Sequence, residues 1–160
     1  MSGSPWGEHW AQRQYALGVD FGGEWREPNE ISSLERLQAI EPGIPLSQKI
    51  RWIPKSSKGA ATSDFIWNAR DGLLWEMKSP DLQILSRKDA KNQAKQIAKA
   101  ISDDAGRGKK YFLIDIGNLP LTRDLRYHLS LYNKRRSAVP DYQISALIVM
   151  SNGQLFSISL

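Results

Sequence analysis

The sequence predicts an α/β protein, a mixed β-sheet flanked by helices. Three observations carry that expectation. Short apolar runs of strand length, at 64–67, 73–78 and 110–116, are interrupted by stretches whose apolar residues recur at helical spacing. A long segment of the helical kind separates the last two of these runs, so a crossover rather than a tight turn joins them. Asn68-Ala69-Arg70-Asp71-Gly72, a turn signal ending in Asp-Gly, and Asn152-Gly153 each sit between apolar runs, where hairpin turns belong.

The elements follow in order. A short helix is expected around residues 8–17, then an irregular Gly-containing stretch, so 1–28 reads as an extension or linker, or else as part of the fold. Pro28-Asn29 opens a second helix that places Ile31, Leu34, Leu37 and Ile40 on one face, and Glu41-Pro42-Gly43 ends it. Residues 49–54 form a candidate first strand, and the Ser/Gly/Ala stretch 55–63 is a loop. The runs 64–67 and 73–78 then make a hairpin, which Pro80 closes. From about 87 to 105, Ala90, Ala94, Ile97, Ala98, Ile101 and Ala105 mark a helix. Lys88, Lys91, Lys95 and Lys99 line another face of it, and Gly106 and Gly108 terminate it. The near-continuous apolar run 110–116 is a buried strand. Thr122 caps a further helix reaching about Arg136, with Leu125, Leu129 and Tyr132 inward. A hairpin over 144–150 and 154–160 closes the chain.

Composition narrows the function classes. With 160 residues and 41% hydrophobic side chains, the chain can bury a core and fits one domain over 29–160. The absence of cysteine excludes disulfides, a thiol nucleophile and thiolate metal sites, and two histidines make no His-rich cluster. No apolar run reaches the about 18 residues of a membrane span, and no signal peptide is expected from the first residues. The net charge of +5 is unevenly spread. Residues 1–80 hold 9 basic and 10 acidic side chains, whereas 81–160 hold 13 and 7. A basic half of this kind suits a polyanion, nucleic acid first, and equally describes a solvated lysine-rich surface.

The chemistry concentrates between residues 63 and 80. Glu76 and Lys78 stand two apart on a strand and so leave the same face, while Asp64 heads the neighbouring run. Two carboxylates and one ammonium suit phosphodiester hydrolysis. Carboxylate oxygens hold a hard divalent ion, and the ammonium orients water or stabilises charge developing on phosphate. The plain alternative is a surface ion pair of Glu76 with Lys78 or Arg70.

The segment Ser63-Asp64-Phe65-Ile66-Trp67-Asn68, followed by Leu73-Leu74-Trp75-Glu76-Met77-Lys78-Ser79-Pro80, resembles the D-x(n)-(D/E)-x-K core of PD-(D/E)XK nucleases. Asp64, Glu76 and Lys78 match the motif in turn, with Ser63 where proline is usual. More closely, residues 60–160 resemble the C-terminal tRNA-nuclease domain of contact-dependent growth inhibition toxins and related bacterial polymorphic toxins. The carrying features are 75–80, Asn92, Gln93 and Gln96 on the following helix, Leu113-Ile114-Asp115-Ile116, and Asn152-Gly153.

That resemblance implies an αβββαβ core plus a C-terminal hairpin, with Asp64 and Glu76 as ligands of Mg²⁺, Mn²⁺ or Zn²⁺ and Lys78 as a catalytic group. It implies a further carboxylate from the first helix, best met by Glu30, with Glu35 and then Glu8 as competitors. Lys88, Lys91, Lys95, Lys99, Gln93 and Gln96 would contact nucleic acid, with tRNA favoured. An acidic immunity protein would be the partner, and the bacterial cytoplasm the place of action after delivery within a larger toxin. A metal-independent RNase of barnase or colicin type, and a non-catalytic nucleic-acid- or partner-binding protein, are the alternatives. His128 reads as a partly buried helix histidine before it reads as a base, and the cluster Lys134-Arg135-Arg136 also complements a helix dipole.

Overall fold

A computed structural model describes residues 3–54 and 64–160. The expected loop at 55–63, including Ser63, lies outside the described residues. The fold is α/β, with mixed strand pairing and flanking helices. The chain divides into two compact units, residues 1–74 and 75–160.

In the first unit, α1 (Glu8–Ala16) and α2 (Pro28–Ala39) precede a single helical turn, α3 (Leu46–Lys49), and then β1 (Ile50–Trp52) and β2 (Asp64–Trp67). The N-terminus of α2 is a capping box. The Glu27 backbone N–H donates to the Glu30 carboxylate at 3.1 Å, and Pro28 occupies a first-turn position where no N–H is needed. Ile31, Leu34 and Leu37 are buried, as their spacing predicts. Helix α1 is fastened to α2 by the Arg13 guanidinium, which donates from both Nε and Nη2 to Glu35, so residues 8–16 belong to this unit's packing. Strands β1 and β2 pair antiparallel, Ile50 opposite Trp67 and Trp52 opposite Phe65. Trp52 and Phe65 stack with centroids 6.4 Å apart. The expected strand at 49–54 is shorter, Ile50–Trp52; its first expected residue, Lys49, ends α3 instead, and the Lys49 ammonium donates to the Gln38 and Ile40 carbonyls that end α2. After β2, a 3₁₀ turn at Asn68–Arg70 leads into Asp71 and Gly72, both left-handed (φ 61° and 63°). That conformation is why Asp-Gly stands there.

In the second unit, β3 (Leu73–Lys78), which begins two residues before the boundary, lies beside β4 (Tyr111–Asp115), then β5 (Ala146–Ser151) and β6 (Gln154–Ser157). The β3–β4 and β4–β5 pairs are parallel, with Glu76 opposite Phe112, and β5–β6 is antiparallel around Asn152-Gly153. Parallel neighbours need crossovers, supplied by α4 (Leu82–Ser86) with α5 (Ala90–Gly106), and by α6 (Arg123–Ser130).

The helix expected over about 87–105 is α5, and α4 is a further short helix before it that the sequence reading does not include. Asp81 accepts from the Gln83 and Ile84 amides to cap α4, and Asp89 accepts from the Asn92 amide to cap α5. Helix α6 stops at Ser130, short of Arg136, and Lys134–Arg136 is a 3₁₀ turn. Asn133 is the reason: its side chain exchanges two 2.8 Å hydrogen bonds with the Ile144 backbone, which draws the chain towards β5. Ala94, Ile97, Ile101 and Ala105 of α5 pack with Leu125 and Leu129 of α6 over Phe112, Ile114, Leu147 and Val149.

Lys110 ties this core at its base. Its ammonium donates to the carbonyls of Ala105, Asp141 and Gln143 at 3.1, 2.8 and 2.9 Å. Lys110→Met keeps the stem and removes all three bonds, and should destabilise by about 2 kcal/mol, partial exposure of the site discounting the charge. Calorimetry should then show a melting temperature lower by roughly 4–8 °C. An unchanged melting point would reduce Lys110 to a surface residue.

Candidate active site

Strand β3 carries the centre of the site. Burial alternation predicts Trp75 and Met77 inward, and both are buried, but so is Glu76, only 2% exposed. A carboxylate at that depth needs cations, because an unpaired buried charge is prohibitively costly. Lys78 Nζ stands 3.6 Å from Glu76 Oε1, and Lys109 Nζ stands 3.5 Å from Glu76 Oε2. Lys78 also forms an ion pair with Asp104. Asp104 in turn lies 3.3 Å from Arg107 Nη1. Both lysines reach solvent, with side chains 27% and 22% exposed, whereas Glu76 does not. The arrangement is therefore a buried anion with two ammonium groups between it and water.

Asp104 occupies the last turn of α5, where a negative charge opposes the helix dipole. Lys78 and Arg107 offset that penalty. Ion-pair networks this buried seldom stabilise a fold more than apolar packing would. What the arrangement offers chemically is a fixed carboxylate, with two ammonium groups able to receive phosphate oxygens.

The other expected residues have definite positions. Asp64 is fully buried at the head of β2, in the first unit. The Glu30 carboxylate caps α2 and stands 3.7 Å from Arg26 Nη1. Its competitor Glu35 is held by Arg13, and Glu8 accepts from Gln12 at an exposed site. Lys91, Lys95 and Lys99 are exposed on α5, while Lys88 lies before its cap and so outside the helical stripe. Gln93 is half-buried and donates to the Leu85 carbonyl at 3.0 Å, joining α5 to α4, and Gln96 is half-buried. Asp115 is buried and accepts from the Gly117 amide at 2.8 Å, turning the chain out of β4.

Asp104 and Lys109 are the residues that sequence reasoning missed. Asp104 left a signal. It follows Ile101 by three positions and so falls on the apolar face of the helix, where a carboxylate is anomalous. Lys109 left none, being one lysine in a basic turn.

Among the described residues, no group of three or more His, Asp or Glu side chains is gathered closely enough to hold a metal ion. Nor is any helix among them long and apolar enough to cross a membrane. Comparison of the chain with protein-family models, curated proteins and solved structures gives no match.

Proposed function

We propose that this chain is a metal-dependent nuclease, a toxin domain of a bacterial competition system that cleaves tRNA in the target cytoplasm after delivery as part of a larger toxin. The observation that carries the reading is Glu76: a carboxylate buried in a strand, two positions from Lys78, with the ammonium groups of Lys78 and Lys109 beside its two oxygens. Buried titratable clusters recur at functional sites, and in structural ion-pair networks as well. In this reading Glu76 and, by the sequence motif, Asp64 provide oxygen donors for Mg²⁺, Mn²⁺ or Zn²⁺. Such an ion, when bound, polarises a phosphoryl oxygen and acidifies water.

The residues fit that role on their donor chemistry, since both are oxygen ligands suited to a hard cation. Lys78 or Lys109 would yield its place beside Glu76 and turn to a phosphate oxygen. Lys78 then balances charge on the phosphoryl group, and Asp104 orients the Lys78 ammonium. Glu30 adds a third carboxylate only by giving up its cap on α2. Asp64, Glu76 and Lys78 as a D-x(n)-E-x-K set, and with them a PD-(D/E)XK core, remain part of this proposal. Lys88, Lys91, Lys95 and Lys99, with Gln93 and Gln96, are proposed to meet the nucleic acid. An acidic immunity protein is the partner that a basic half of net +6 would attract.

The test is a cleavage assay. Purified protein is incubated with total tRNA, rRNA or plasmid, with Mg²⁺, Mn²⁺, Zn²⁺ or EDTA. The expected result is tRNA cleavage that needs a divalent ion and stops with EDTA. Equal cleavage in EDTA would leave a metal-independent RNase. Intact substrates under every condition would reject the nuclease reading.

A further inference from the structure

Away from Glu76, α5 and α6 enclose a groove of about 450 Å³. Four basic side chains line it: Lys95 and Lys99 from α5, and Arg135 and Arg136 from the 3₁₀ turn that follows α6. No carboxylate is among its lining residues. Four like charges around one concavity repel one another, and low-dielectric walls focus their field into it. Such a groove favours an anion strongly.

Its lining narrows the class of anion. Ala94, Ala98, Leu129 and Tyr132 give the groove an apolar lining, buried except at the partly exposed Ala98, and Ser102 adds a hydroxyl. The Arg136 guanidinium lies over the Tyr132 ring, 3.7 Å from the centroid, and Nη1 donates to the Tyr132 carbonyl at 3.0 Å. This arginine is therefore held at the rim before any ligand arrives. The pocket also includes His128, whose buried Nδ1 makes no hydrogen bond among the described residues, an unsatisfied polar atom of the kind that asks for an explanation.

A largely apolar lining beside four basic side chains matches a sugar or base flanked by phosphates. Arginine forks match phosphate oxygens bidentately. A duplex presents phosphates on a convex surface and keeps its bases stacked inside, so it cannot meet a concave apolar lining. A single strand can.

We propose that the groove between α5 and α6 binds a single-stranded segment of nucleic acid, with phosphates on Lys95, Lys99, Arg135 and Arg136 and one nucleoside over Ala94 and Ala98. The inference rests on the nucleic-acid reading above, and it adds a binding site separate from the Glu76 cluster. It also gives the tandem arginines a role that the sequence left as dipole compensation.

The test measures binding in Glu76→Gln protein, so that turnover does not interfere. The probe is a fluorescein-labelled eight-nucleotide single-stranded RNA, followed by anisotropy across a salt series. Lys99→Ala with Arg135→Ala should weaken binding at least tenfold and lower the log–log salt slope by about 1.4, two phosphate contacts being lost. Lys99→Arg with Arg135→Lys should stay within about threefold of the parent, which separates charge from folding. A duplex of the same length should bind more weakly than the single strand.

Groove-dependent binding supports the proposal even if the wild type cleaves nothing, an outcome that would remove the nuclease reading alone. Binding of the alanine variant within twofold of the parent overturns it, even if the wild type cleaves tRNA. Failure of the Glu76→Gln parent to bind the RNA overturns it as well. Displacement of the RNA by poly-L-glutamate at equal charge concentration would overturn it in favour of an acidic protein partner.

Discussion

Glu76→Gln is expected to abolish cleavage, with a loss of about 10³-fold or more in rate, while the protein stays folded and binds nucleic acid as before. Glutamine keeps the volume of the side chain, so β3 repacks little, but the charge that holds an ion or a proton is gone. The cost in stability should be small. Neutralising Glu76 removes its ion pairs with Lys78 and Lys109, yet it also removes the penalty of burying a carboxylate, and both lysines can turn to water. A change of no more than about 2 kcal/mol follows from these opposing effects.

The same substitution separates enzyme from binder inside a cell. Cytoplasmic expression of the wild type should arrest bacterial growth with tRNA cleaved before general RNA decay, and Glu76→Gln should be tolerated. Equal arrest from both proteins, with intact tRNA in both, would favour a non-catalytic partner-binding protein.

Lys78→Met should lower the cleavage rate by about 10²-fold or more, because its ammonium is the cation that touches both Glu76 and Asp104. The affinity of the protein for the divalent ion should rise or stay level, since a positive charge beside Glu76 has been removed. Titration calorimetry with the ion alone reads that effect without any substrate. Stability should fall as well, because Asp104 is left with only the exposed Arg107 among its ion pairs on the described residues. Lys78→Arg provides the contrast. It restores the charge, and with it the melting temperature, but not the geometry of a compact ammonium, so the rate should recover only in part. Full activity in Lys78→Met with only a lower melting temperature would make Lys78 a structural ion-pair residue.

Much of this chain was legible residue by residue. Ile31, Leu34 and Leu37, then Ala94, Ile97, Ile101 and Ala105, declared two helices and the faces they bury, because helical period is a local property. Asp71-Gly72 and Asn152-Gly153 marked turns because few other residues accept left-handed backbone. The Glu76-x-Lys78 pair was legible too, since a period of two decides which side chains leave a strand together. Less legible were the caps. Asp81 caps α4, a short helix that the periodic reading from 87 onward leaves out, and Asn133 ends α6 through two bonds to Ile144 that no local pattern announces.

The sequence by itself determined the α/β class, the order of the main elements, the basic character of the second half and the placement of Glu76 and Lys78 on one strand. Only the tertiary structure decided that Asp104 and Lys109 join them, and that Lys95 and Lys99 face Arg135 and Arg136 across a groove. The physical reason is the range of the forces involved. Backbone period and turn chemistry act within a few residues and leave their mark in the order of side chains. The meeting of β3 with the end of α5, and of α5 with α6, depends on parallel crossovers that pack helix against sheet. The apolar faces that drive this packing specify contact, and the charged residues are carried into register by it.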